Sequence, residues 1–191
     1  DEIAEIFRAK WTNLYVPVID RVFGKVHPLA AFARATINLN QELVSKRDAF
    51  VMHPAAGSRT IQFFVWISGM GWKCAEYTPA DIQGWHMYTG TFDGNYLSLY
   101  IDGEAVAELA VAGAVQAAPG VMYIGYDNAN NAYFNGDIAE VAVWSAARSL
   151  SDVRSDLYKT FKGNEAGLFG YWRMAMTSEA GGSKVNDLTT N

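Results

Sequence analysis

Three groups of residues in this 191-residue chain have types and spacings that could do chemistry. The run after Ile124 places Asp127, Asn128, Asn130 and Asn131 close together, and carboxylate and amide oxygens of this kind suit a hard cation such as calcium. Asp and Asn are also turn formers, which is the alternative reading there and at Asp93, Asn95, Asn135 and Asp137. The second group is aromatic: Trp72 and Tyr77 stand among small and polar residues, and Tyr126 and Tyr133 flank the Asp/Asn run. Rings on connections offer flat apolar area for stacking on a sugar at little entropic cost, so Trp72, Tyr77, Tyr126, Asn128 and Tyr133 form a candidate glycan-binding set. For Trp72 the competing role is a plug at the edge of the core. The third group is Asp137 with Glu140, the nearest approach to an acid pair; their odd spacing predicts side chains on opposite faces of a strand.

Other chemistries lack their residues. His86 shares strand parity with Tyr88 and Phe92, which predicts a hydrogen-bonded core histidine, while His27 and His53 each precede a proline and are expected in bends. No zinc-ligand spacing, Gly-x-Ser-x-Gly elbow or glycine-rich phosphate loop occurs. Glu104 and Glu108 have no acid at an alternating position. The net charge of −5 and 18% charged residues argue against nucleic acid as a partner. Cys74 is the one cysteine, so no internal disulfide forms and the redox compartment stays open. No apolar run approaches the roughly 18 residues of a membrane span. The chain opens on Asp1 without a charged and hydrophobic leader, so a leader was either removed or never present.

The elements that must position these groups are mostly strands. Trp85–Phe92 and Tyr96–Asp102 alternate and are joined by Asp93-Gly94-Asn95, which predicts a hairpin, with Leu97, Leu99 and Ile101 on a buried face and Ser98 and Tyr100 on a wet one. Residues 33–39, 42–53 and 61–68 read as strands. The last is apolar on both faces, Ile61, Phe63, Val65 and Ile67 against Phe64 and Trp66, and is expected to be central. Pro17 suits an edge strand or extended arm, and Gly69–Gly84 reads as a loop. Two helices are predicted: an amphipathic one over residues 2–12, and one capped by Ser149 or Ser151, striped by Val153, Leu157 and Phe161, with Arg154 and Lys159 outward and Gly163 at its end. Leu168, Gly170, Trp172 and Met174 share a face of a closing strand, followed by a Gly/Ser turn and a last short polar strand.

Several blocks, in order, carry a resemblance. WHMYTGTFDGNYLSLYIDG resembles the hairpin signature of laminin-G-like domains, and IGYDNANNAYFNGDIAEVAVW, SAARSLSDVRSDLYKTFKG and GLFGYWRM are similar to the segments that follow it there. These domains belong to the concanavalin A-like lectin and glucanase superfamily and are relatives of the pentraxins. The resemblance covers roughly residues 35–191 and implies an all-β, two-sheet antiparallel jelly-roll sandwich, with residues 1–30 as an N-terminal helix and arm and 31–191 as the domain. It implies further that Asp127 or Asn128 would inherit a pentraxin-like calcium site, although Tyr126 and Ala129 dilute the ligand run. Retaining glucanases of the superfamily carry a Glu-x-Asp-x-x-Glu type motif with acids about 5 to 5.5 Å apart, and no such motif is read here.

Two function classes follow. One is a non-catalytic, lectin-like carbohydrate-binding module, with or without calcium, and this is the reading taken. The other is a structural or assembly subunit of a surface, appendage or virion, joined to other subunits or into a homo-oligomer through residues 1–30. Either is expected outside the cell, at its surface or on a virion.

Overall fold

The computed structural model describes residues 16–18, 29–35, 42–157, 159–174, 177–179 and 182–189. In chain order the strands are β1 (Val16–Val18), β2 (Leu29–Ala35), β3 (Val44–Lys46), β4 (Phe50–Pro54), β5 (Ile61–Ile67), β6 (Gly71–Tyr77), β7 (His86–Phe92), β8 (Tyr96–Ile101), β9 (Glu104–Ala110), β10 (Met122–Ile124), β11 (Tyr126–Asp127), β12 (Ala132–Tyr133), β13 (Gly136–Trp144), β14 (Leu168–Trp172), β15 (Thr177–Glu179) and β16 (Gly182–Lys184). Helix α1 (Leu150–Asp156) lies between β13 and β14.

The β7–β8 hairpin forms because Asp93 caps its turn. Its Oδ1 accepts from the backbone N–H of Asn95 at 2.8 Å and of Tyr96 at 2.7 Å, and Gly94 takes the positive φ of 98°. Pairing then extends into two six-stranded antiparallel sheets, the first ordered β1-β10-β3-β4-β5-β6 and the second β14-β13-β2-β7-β8-β9. The connections β2–β3, β6–β7 and β9–β10 cross between layers, as does the path from β10 to β13 by way of the separate two-stranded β11–β12 pair, which is jelly-roll topology. Ile61, Phe63, Val65 and Ile67 of the first sheet and Leu97, Leu99, Ile101, Val141 and Val143 of the second meet in the core. A Cβ on Gly90 would lie 2.5 Å from the Phe63 ring, so the glycine of the hairpin signature makes room for a ring from the facing sheet. Val16–Val18 pairs with β10 at the edge of the first sheet, where a proline is tolerated.

Several expectations are corrected. Residues 42–53 are not one strand: the chain reverses at Arg47-Asp48-Ala49, with Asp48 at φ 61°, to give the β3–β4 hairpin. His53 is accordingly on a strand rather than in a bend. Gly71–Tyr77 is strand rather than loop, joined to β5 by a tight turn through Gly69 at φ 76°. The face of β8 bearing Ser98 and Tyr100 is buried rather than wet, because Val153 and Leu157 pack with Met87 and Tyr100. Helix α1 is capped by Ser149, whose side chain and that of Asp152 satisfy each other's backbone N–H, but it ends at Asp156. Leu157 turns to ψ 122°, and Phe161 seats instead between Trp144 and Tyr171. Irregular pairing opposite Trp144 leaves Leu168 packed with Trp144 and Tyr171 rather than beside Trp172. The strand expected over residues 33–39 starts at Leu29 and is described to Ala35. Residues 36–39 and the helix expected over 2–12 lie outside the described residues, as does His27.

Candidate functional site

The two outer faces of the sandwich differ. On the second sheet, α1 covers Met87 and Tyr100, and Phe161 covers Trp144 and Tyr171. On the first sheet the outward residues include a series of rings over which no described helix packs. Register places Tyr123, Ser45, Val51, Phe64 and Cys74 in one row across β10, β3, β4, β5 and β6. Trp66 pairs with Trp72 in a neighbouring row, and His53, Gln62 and Glu76 form a third. Phe64, Trp66 and Trp72 stay half-buried although their strand neighbours Phe63, Val65 and Ala75 are in the core.

These rings make two groups. Trp66 and Trp72 meet edge to face at 5.2 Å, Phe64 stands at 6.3 Å from Trp72, and His53 stacks on Phe64 at 5.5 Å with only 7° between the planes. Burial lowers the His53 pKa, so this ring is held neutral as an apolar platform. The second group is Tyr123, Tyr126 and Tyr133, in contact at 5.5 Å and 5.1 Å. Tyr133 is 41% exposed, and the Tyr126 hydroxyl donates to Asn131 Oδ1 at 2.8 Å. At about 4.8 Å per strand, β10 and β5 are roughly 14 Å apart, so the groups flank a face wide enough for more than one sugar ring.

Between them lies an ion cluster. Arg47 Nη2, from the tip of the β3–β4 hairpin, donates to Glu42 Oε1 at 2.8 Å and to Asp127 Oδ1 at 2.6 Å. To reach both, its side chain runs back along β3. Asp127 is 2% exposed, and its carboxylate also accepts from the N–H of Ala129 at 2.8 Å and of Asn130 at 3.1 Å, and from Asn130 Nδ2 at 2.5 Å. Burial opposes its ionisation, but the hydrogen bonds from Asn130 and Ala129 and the Arg47 charge outweigh it and hold the Asp127 pKa below the usual carboxylate range. Glu42 has fewer donors, and burial pushes its pKa up despite Ser45 and Arg47. The Ser45 hydroxyl donates to the Tyr126 carbonyl at 3.4 Å, tying the cluster to the tyrosines.

Of the residues singled out in the sequence, Tyr126 and Tyr133 are brought together, Asn128 is exposed on the turn between them, and Trp72 stands in the other ring group. Tyr77 is 42% exposed at the end of β6, on the opposite parity to Trp72. Phe64 and Trp66 look in sequence like the second apolar face of a buried strand. The signal that could have placed them outside is the polar company on that face, Gln62 and Glu76, which are hydrogen-bonded at 2.6 Å. Arg47 carried no signal, since it acts only once the hairpin and the Asp127 turn meet.

The acid pair is also corrected. Against β2, both Ala139 and Glu140 fit where one residue would, because Ile138 pairs with Ala33 and Glu140 with Phe32. This bulge turns Asp137 and Glu140 to the same outer face of the second sheet. Asn135, Asp137 and Glu140 then stand at the glucanase spacing, with an amide where that motif has its first carboxylate. Glu140 accepts from the Tyr171 hydroxyl at 2.9 Å with Arg173 at 3.7 Å, and burial is the main cause that raises its pKa. His86 is held by Asp102, 2.7 Å from its Nδ1. The Cys74 thiol is pushed up to about 12 by burial and by Glu76, which leaves it a poor nucleophile.

The family model described as the concanavalin A-like lectin/glucanases superfamily matches residues 28–154. No curated protein matches the chain. Among solved structures, a Bacteroides ovatus protein provisionally described as carbohydrate binding superposes with a TM-score of 0.71 at 18% identity, over 91% of this chain and 53% of that one. A native heptameric SAP-like pentraxin from Limulus polyphemus gives 0.57 at 13% identity, over 77% and 78%. The CBM40 of the Ruminococcus gnavus IT-sialidase gives 0.57 at 12% identity, over 75% and 98%, and in another structure is bound to alpha2,3 sialyllactose. The chain thus spans about half of the Bacteroides protein, and at these identities the likeness is one of fold.

Proposed function

The chain belongs to the concanavalin A-like lectin/glucanases superfamily, with residues 28–154 matched, and from that premise we propose that it is a non-catalytic glycan-binding module using the outer face of its first sheet. The observation that carries this reading is a pair of ring groups on that face, with Trp66, Trp72, Phe64 and His53 half-buried at one end and Tyr126 and Tyr133 reaching solvent at the other, while Tyr123 and Val51 between them are buried. A ring left half-exposed beside a filled core does little for folding, whereas it offers a sugar a flat apolar surface. Asn131, Gln62 and Glu76 lie beside the rings and can bond hydroxyls. The non-catalytic part rests on Asn135 standing where a retaining glucanase needs a carboxylate, and on Glu140 being tied to Tyr171.

Charge refines the ligand class. The described charged groups of this face are Arg47 against Glu42, Glu76 and Asp127, and the guanidinium is already held by two carboxylates. A sugar carboxylate or sulfate would meet net negative potential here, so the ligand is a neutral glycan. The setting that goes with this is extracellular or at a cell surface.

An array carrying neutral and sialylated oligosaccharides tests the proposal. The expected result is retention on neutral glycans, weakened at least tenfold in Trp72→Ala and in Tyr133→Ala while the circular-dichroism spectrum is unchanged. Retention unaffected by both substitutions, or none on any glycan, would contradict it.

A further inference from the structure

The superfamily resemblance implies calcium at the turn between β11 and β12, and the donor set there does not fit it. Calcium takes about six to eight oxygen ligands converging on one point. Asp127 is the carboxylate of this turn, and what converges on it is nitrogen: Arg47 Nη2, the backbone N–H groups of Ala129 and Asn130, and Asn130 Nδ2. The Asn130 amide turns its NH2 toward the carboxylate, which points its oxygen away from any ion seated there. Asn128 is exposed, and among the described residues no group of three or more His, Cys, Asp or Glu side chains could hold a metal ion. The second carboxylate of the cluster, Glu42, comes from the segment before β3 and is bonded to the same nitrogen of Arg47.

We propose that Arg47 is the built-in cation of this turn: its guanidinium, bridging Glu42 and Asp127, does the structural work that a calcium ion would otherwise do, and the protein is calcium-independent. The guanidinium is 35% exposed in its side chain while the carboxylates are 6% and 3%, so it sits over them as a lid. Arg47 Nη2 is the donor that both carboxylates share, while buried Glu42 Oε2 and Arg47 Nε have no protein partner. Arg47 thereby becomes a positioning residue for the turn that carries Tyr126 and Tyr133. This inference is independent of whether those rings bind sugar.

Thermal unfolding of the whole protein in millimolar calcium chloride and in EDTA tests it, together with calorimetric titration of the wild type with calcium chloride. The wild-type midpoint should be the same in both solutions and the titration should give no binding heat. Arg47→Gln should unfold at a midpoint lower by about 5 °C or more, and Arg47→Lys should lose less because it keeps a charge between the carboxylates. A wild-type midpoint that rises with calcium, saturable calcium binding, or an Arg47→Gln midpoint equal to wild type would each overturn the proposal.

Discussion

At Gly90 and Phe63 a single hydrogen atom decides how two sheets meet. Gly90 has an ordinary backbone conformation, so its presence is explained by space: a methyl group would press on a ring that is 1% exposed and has nowhere to go. Gly90→Ala should therefore cost about 1 to 3 kcal/mol, a fall of roughly 2 to 12 °C in the unfolding midpoint, and Phe63→Leu in the same chain should recover part of it. Glu140 makes a different kind of statement. Because burial raises its folded pKa, the native state holds its proton more tightly than the unfolded chain does. Its contribution is complete below about pH 4 and is lost as pH rises through the folded value. Glu140→Gln removes that titration and still accepts from Tyr171. Its stability relative to wild type should rise between about pH 4 and pH 7, as denaturant midpoints across that range would show; a constant difference would contradict the assignment. Residues of this sort were only partly legible in sequence. Asp93-Gly94 announced its turn by residue type alone, whereas Arg47 became meaningful only through Glu42 and Asp127, five and 80 residues away.

Elements were legible where local chemistry and pairing agree. The β7–β8 hairpin, the β5 strand and the Ser149 cap are fixed by turn residues, alternation and a capping box, each local. The capping box supports a helix of only seven residues, so Ser149→Ala should lower stability by about 1 kcal/mol and loosen the packing of Val153 on Met87 and Tyr100. Faster amide exchange over 150–156 than in wild type would report it; unchanged exchange would show that packing alone holds the helix. Three features escaped because they do not follow period two. The bulge at Ala139 adds one residue without a mark in composition, yet it carries Glu140 to the face of Asp137. The Arg47-Asp48-Ala49 turn lacks the glycine that usually signals a reversal, because Asp48 itself takes the positive φ. Gly71–Tyr77 has a half-buried, mixed pattern, since an edge strand meets solvent on one side.

Over the whole molecule, the order of motifs was enough for the jelly roll but not for its asymmetry. Which outer face is covered depends on where α1 and the segment after it fold back, and that is settled by contacts such as Tyr100 with Val153 and Phe161 with Tyr171 rather than by any pattern in the strands themselves. The consequence is a sandwich whose second sheet is covered by α1 and Phe161, and whose first sheet, among the described residues, carries half-buried and exposed rings. The most direct measurement is a solution NMR titration with the best-retained neutral oligosaccharide, following the indole N–H signals of the tryptophans. The account predicts that the signals of Trp66 and Trp72 move in a saturable way while those of core-bound Trp172 and of Trp144, packed on the opposite outer face, stay in place. Shifts confined to Trp144 or Trp172, or saturable binding that leaves Trp66 and Trp72 unmoved, would contradict it.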